Sequence, residues 1–455
     1  MDPATYVDPE LTIADHLVLD TLVDKPGSNG KCLQGRVFIG PPTNSKQGET
    51  KSSSSQPKPS DEDVIQKLQD MNDVSHPDFD PTIFQFWDTP VLRAKLPPAL
   101  QRYVLQPYQK WAQGVVRFPT DVVMLTHLLL YFTTIVPSAI FLYYRFSWVH
   151  GILHWVMQLW YCGAFTLMRH QHIHMNGVLA PRYWVFDTLF PYVLDPMLGH
   201  TWNSYYYHHI KHHHVEGNGE EDLSTTMFYD RDSGFDFACY VGRFIFFIWM
   251  ELPLYFWRKG QVKYACRAAF WELGNYATIY LLYNYINARA TVFVLILPLT
   301  VMRCGLMVGN WGQHAFVDPI DPDSDYRSSI TLIDVPVSFP MASCQFLVLT
   351  WTQSNRYSFN DGYHTSHHLN PRRHWRDHPV AFVKGKNRYA EERALVFRNV
   401  DYIFITVYLL RKDYNHLAKC LIPIGDQVNM TLEQRAEMLR SRTRRFPHPN
   451  AKKHR

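Results

Sequence analysis

The strongest constraint on this chain is the run from Val122 to Tyr144, VVMLTHLLLYFTTIVPSAIFLYY, which carries no Asp, Glu, Lys or Arg. A helix of that length rises about 35 Å, enough to cross the roughly 30 Å hydrocarbon core of a bilayer. A second apolar stretch, Trp148 to Met168, follows after only Arg145 to Ser147. So short a link predicts a helical hairpin whose outer ends lie on one side of the membrane. The apolar stretch Trp271 to Asn310, broken by NARA at 287–290, predicts a second hairpin with spans at 271–286 and 291–309, the first arm being short. Inside a bilayer each backbone polar group must be satisfied within the chain, which favours helices. The expected fold class is therefore all-α: an integral membrane protein with four transmembrane helices in two hairpins.

Phe237 to Trp257 is also apolar, but it contains Arg243, Glu251 and Pro253 and precedes the basic loop RKGQVKYACR. If it spanned, that loop would sit on the far side, against the tendency of Lys and Arg to stay cytoplasmic. Ionisable residues inside a span are costly as well. An interfacial helix at 237–257 fits better, and the run VDYIFITVYLL at 400–410 reads the same way. Both termini and the large loops are then expected in the cytosol.

Residues 1–117 read as a soluble N-terminal region with a polar, low-complexity linker near 45–61. Residues 118–435 read as the membrane domain, and 436–455 as a basic tail. The 45 basic and 41 acidic side chains, net charge +4, argue against a nucleic-acid partner. Seven scattered cysteines with no C-x-x-C pair suit reduced thiols, not a disulfide framework. The N-terminal stretch MDPATYVDPELTIADHL lacks a basic head followed by an apolar run, so no cleaved signal peptide is expected.

Histidine is crowded into four places: MRHQHIHMNG, YYYHHIKHHHVEGNG, NWGQH and NDGYHTSHHLNP. On the four-span topology all four reach the same membrane face. Residues three and four apart share a face of an α-helix, so His170 and His174 point together. At about 100° of turn per residue, His209, His212 and His213 fall within one arc, as do His364, His367 and His368. On the same count His172 lies about 200° from His170, and His214 about 140° from His209, so both face elsewhere. Imidazole is the commonest metal ligand. With His314 the set numbers nine, too many for one tetrahedral zinc, and two metals are the economical reading.

Other spacings are weaker. His150 and His154 also match H-x-x-x-H, but they begin the second span, roughly 25–30 Å from His174 by helix rise. His374 and His378 read as a solvated basic turn.

The order H-x-x-x-H, H-x-x-H-H, N-x-x-x-H, H-x-x-H-H over about residues 120–380 resembles the membrane-bound fatty acid desaturase superfamily. DGYHTSHHLNP is the most specific part of that resemblance. It implies a cytosolic cap holding a non-haem di-iron centre, with two Fe ligated by His170, His174, His209, His212, His213, His314, His364, His367 and His368. Asn310 matches a position that contacts a metal through water in some members. The first box is crowded by His172, the second by His208 and His214. The implied activity is O2-dependent introduction of a double bond into a lipid acyl chain. Same-superfamily alternatives are a hydroxylase, an acetylenase or a sterol or sphingolipid oxidase. Outside the superfamily, a histidine-rich metal transporter or a membrane metal-dependent hydrolase would want polar residues within the spans. The HPGG signature of a fused cytochrome b5 domain is absent. Electrons are then expected from NAD(P)H through a separate reductase and cytochrome b5 or ferredoxin. The last four residues, KKHR, resemble a dilysine signal and point to the endoplasmic reticulum.

Overall fold

The computed structural model describes residues 2–8, 11–23, 59–334 and 354–447. Residues 45–58 of the expected linker and the KKHR tail lie outside the described residues.

The fold is mostly helical. Near the N-terminus, α1 (Ile13–Leu22) and α2 (Asp61–Asp70) are short and capped, by Thr12 and by a Ser60–Asp63 capping box. Ser60 and Asp61, placed in the linker by the sequence reading, therefore belong to structure. The long apolar run forms α3 (Val122–Tyr144) and is followed by α4 (Trp148–Met175). Ser147 caps α4 by accepting from the His150 backbone N–H, and Asn176 ends it in the left-handed conformation. After α5 (Trp184–Met197), a π-helical turn runs from Tyr206 to His213. Then come α6 (Gly234–Arg258), α7 (Val262–Tyr285) and α8 (Ala288–Gln313), the last with a π turn at Val292–Ile296.

By length and composition, three of the described helices could cross a membrane: α3, α6 and α8. Helices α4 and α7, of 28 and 24 residues, cover the other two expected spans but are not apolar enough to be counted with these three, whereas α6, expected in the interface, is. The short arm expected at 271–286 starts earlier, at Val262, because the tight turn Lys259–Gln261 costs few residues. Gly260 takes a φ of +72° there.

Helix α6 hugs the segment that follows the π turn at both of its ends. Tyr240 Oη donates to the Ser224 carbonyl (3.1 Å), while Tyr255 Oη donates to Glu216. Lys259 Nζ reaches Glu216 (3.2 Å) and Glu221 (2.7 Å). Tyr240 and Tyr255 are about 22 Å apart along the helix, so α6 lies across this region instead of leading away from it.

The all-α expectation needs one correction. A buried three-stranded sheet, β1 (Ile330–Leu332), β2 (Leu395–Phe397) and β3 (Leu421–Ile422), joins segments far apart in sequence. β1 pairs parallel with β2 (Ile330 opposite Leu395), and β2 antiparallel with β3 (Phe397 opposite Leu421). Strands of two or three residues, buried throughout, are too short to print an alternating pattern. The sheet supports the last histidine segment: the Leu332 N–H donates to the Gly362 carbonyl (2.8 Å), just before α9 (His364–Leu369). Helix α10 (His378–Glu391) packs its Phe382 and Val383 with Val18 and Leu19 of α1 and Val64 and Leu68 of α2. The N-terminal helices are thus part of the body that carries the histidines.

Candidate metal centre

In the last two turns of α4, the i, i+4 rule delivers what it should. His170 and His174 share a face, their ring centroids 4.6 Å apart, and both are buried. His172 turns away. Its Nε2 donates to the Asp187 carbonyl (2.9 Å), and its Nδ1 accepts from Arg169 (2.5 Å), which is itself clamped on Asp195.

The second histidine segment departs from expectation because it is not an α-helix. A π-helix bonds residue i to i+5, and the His214 N–H donates to the His209 carbonyl accordingly. Residues five apart therefore meet: His209 and His214 have ring centroids 4.5 Å apart and Nε2 atoms 3.1 Å apart. His213 points to a different neighbourhood. His212 faces neither; its ring lies against Tyr255 (4.5 Å) and its Nδ1 is 3.8 Å from Asp222. The expected set His209, His212, His213 is thus replaced by His209, His213, His214.

His314 sits at the C-cap of α8, where its Nδ1 donates to the Ser328 carbonyl (2.8 Å), leaving Nε2 free to face His364 Nε2 at 3.2 Å. Helix α9 then splits its three histidines, which were expected to share one arc. His364 and His368 share a face, their Nε2 atoms 3.1 Å apart. His367 points the other way, to His170 Nε2 (3.1 Å) and His214 Nε2 (2.9 Å).

The outcome is two groups. His170, His174, His209, His214 and His367 form one; His213, His314, His364 and His368 form the other; within each, the nitrogens lie within 4.8 Å of one another. Nine histidines are gathered, eight of them from the expected set. Asn310 is outside both, its Nδ2 donating to the Ser224 carbonyl (2.9 Å) and Tyr240 Oη (2.6 Å). A smaller group, His208, His212 and Asp222, lies beside them.

These nitrogens fit a cation better than they fit one another. Burial, reinforced by neighbouring imidazoles, holds His209, His214, His314, His364 and His367 well below the usual histidine range. Neutral rings whose nitrogens converge at about 3 Å present lone pairs to a shared point, which is the donor set that iron, copper or zinc takes. The outward nitrogens are oriented as metal-bound imidazoles require. His213 Nδ1 lies 2.7 Å from Asp222 Oδ2, and His368 Nδ1 3.5 Å from Asp325. Asp222 is buried, which by itself raises a carboxyl. The hydrogen bonds from His213 and Ser224, with the pull of the neighbouring His213 and His212 rings, outweigh that and hold it well below the usual carboxylate range. Its carboxylate also accepts from the Asn218 and Ser224 backbone. Asp222 carried no signal in the sequence, because nothing in the spacing of one Asp in a loop marks it as a histidine's partner.

The weaker pairs have structural work. His150 Nε2 and His154 Nδ1 both contact Ser138 Oγ at 2.8 Å, joining α3 to α4. His374 and His378 are not a solvated turn: His374 is on Asp121 (2.8 Å), and buried His378 is on Ser366 (2.9 Å), directly beneath α9.

A cavity of about 300 Å³ opens beside the groups. His170, His209, His213 and His364 line it together with apolar Phe244, Ile248, Leu252, Met302 and Leu306.

The sequence profile of the family described as fatty acid desaturase matches residues 146–399, more than half of the chain and all nine gathered histidines. No curated protein and no solved structure matches it.

Proposed function

The chain belongs to the fatty acid desaturase family, and from that premise we propose that it is an O2-dependent acyl desaturase of the membrane surface. It would hold two iron ions, one in each histidine group. The observation that carries this reading is the convergence of four segments, up to 198 residues apart (His170 to His368), into two all-imidazole groups beside an apolar cavity. Iron, when bound, supplies the activation of oxygen that breaking an unactivated C–H bond requires.

The chain's own residues supply position and dryness. The flank formed by Phe244, Ile248, Leu252 and Met302 takes up an acyl chain and keeps water from it. Ser328 and Asp222 fix ring orientation through the outward nitrogens of His314 and His213. Overall, one O2 takes two electrons from an external donor and two from the substrate, and with two protons leaves two waters and an alkene.

For topology we favour four crossings by α3, α4, α7 and α8. Helix α6 would lie in the interface, with the histidine cap, both termini and the electron donor on the cytosolic side. Support comes from the contacts at both ends of α6 with residues 216–224. The large apolar side chains that α6 leaves exposed, Phe246, Phe247 and Trp257 among them, suit immersion in lipid. The endoplasmic reticulum and a separate cytochrome b5 or ferredoxin remain part of the proposal.

The test is expression in a host with a simple fatty acid pool, with metal analysis of the purified protein. New unsaturated acyl chains and about two irons per chain are expected. Hydroxylated chains alone would move the protein to a hydroxylase, and activity with zinc alone would sink the di-iron reading. A tag near residue 262 should report the cytosol; a luminal signal would make α6 a span.

A further inference from the structure

Not all of the cavity's lining is apolar. On α8 its lining runs from Gln313 down to Arg303, Met302 and Val301 and stops there. Arg303 is eleven residues before His314, about 16 Å along the helix. Glu272 of α7 and Ser204 line the cavity beside Arg303. Both charged residues are buried, and Arg303 Nη2 donates to Glu272 Oε1 in a direct ion pair. The Glu272 carboxylate also accepts from Ser204 Oγ (2.6 Å) and Tyr276 Oη (2.5 Å). Arg303 donates to the Ile245 carbonyl (3.4 Å) and stacks over Tyr276.

Charges this deep in a membrane protein are costly and mark function or structure. Here each partner is satisfied, and neither has a buried polar atom without a partner. The pair therefore does not solicit a polar ligand. It resists one that is apolar: a chain pressed further would have to open the pair, leaving two buried charges unmatched. The rest of the wall includes Phe244, Ile248, Leu252, Met302 and Leu306.

We propose that the Glu272–Arg303 pair is the floor of the acyl slot, and that its depth below the histidines decides which carbons of the chain are desaturated and how long a chain fits. The proposal deepens the desaturase reading and rests on it. Glu272 and Arg303 are specificity determinants in this account, acting on chain position and not on the metal ligands.

Two opposite variants test it in the full-length protein. Glu272→Leu with Arg303→Met exchanges the pair for apolar side chains of similar size, which avoids stranding one charge. It should lengthen the preferred chain or move the new double bond. Gly305→Leu should do the reverse, since a Cβ at Gly305, which lines the slot, meets nothing within 4 Å. Product chain length and bond position are read by mass spectrometry. Wild-type product profiles in the variants would overturn the proposal, and Gly305→Leu decides alone if the double variant does not fold. If the wild-type protein makes no unsaturated product, the desaturase reading fails instead. The slot is then judged by thermal protection of the purified protein with saturated fatty acids of graded length. The optimum length should shift in the same two directions, and an unmoved optimum would overturn the floor.

Discussion

The first and second histidine segments are a natural experiment in what helical spacing can predict. At the end of α4, an ordinary α-helix, residues four apart meet, and the rule selects His170 and His174 while turning His172 away. In the Tyr206–His213 turn the same rule selects His212 and rejects His214, and the structure has them the other way round. The chemistry of the two segments is alike; only the hydrogen-bond register differs. A π turn moves the meeting point from i+4 to i+5, and so exchanges one histidine for its neighbour but one. π turns are rare and often fall at functional sites, which is where a rule built on α-helices is most exposed.

The comparison can be broken most sharply at His214. His214→Ala should lower turnover about a hundredfold or more, beyond what loss of an outer partner usually costs, and as severely as His174→Ala. An active His214→Ala beside a dead His212→Ala would restore the α-helical register. His212→Ala should instead cost about tenfold, through Asp222 and the orientation of His213. Steady-state rates under saturating electron donor separate the two.

A smaller effect is expected at His172, where the α rule and the structure agree. His172→Ala removes its bonds to Arg169 and Asp187 without touching either histidine group, and should cost about 1 kcal/mol of stability. Iron content should be unchanged. Iron lost only in proportion to the fraction unfolded would fit this role, whereas iron lost from fully folded protein would make His172 a ligand.

Much of the architecture was legible because it rests on length and composition. The unbroken run at 122–144 could be little else than a long helix, and NARA broke the apolar stretch where Asn287 now caps α8. The pairs spaced by four, His170 with His174 on α4 and His364 with His368 on α9, were legible for the same reason, both helices being α-helical; His367, expected in the arc of His364 and His368, turns instead to the other group. What was not legible depends on contacts between distant segments. The sheet joins 330–332, 395–397 and 421–422 through strands too short to leave a period. Buried His378 looked like part of a basic turn because its partner, Ser366, is identified only once α9 and α10 are folded together. The docking of α1 likewise depends on partners some 340 residues away.

That docking gives the mildest expected effect. Asp15 of α1 accepts from the Asn355 N–H (3.0 Å) and from Ser354, and burial pushes its carboxyl up to about 7. A folded value raised above the ordinary 3.8 means that the folded state binds the proton more tightly. Its contribution is complete below about pH 4 and is lost as pH rises through 7. Hydrogen exchange in α1 should therefore quicken from pH 6 to pH 8 beyond the intrinsic pH effect, and Asp15→Asn should remove that excess. Equal excess in the variant would place the titrating group elsewhere.

The exchange of His214 for His212 is tested most directly by locating the metal. Anomalous scattering at the iron edge from crystals of the iron-loaded protein should show two peaks. One should lie within bonding distance of His170, His174, His209, His214 and His367, and the other near His213, His314, His364 and His368, with His212 bound to neither. A peak ligated by His212 and not by His214 would contradict the account.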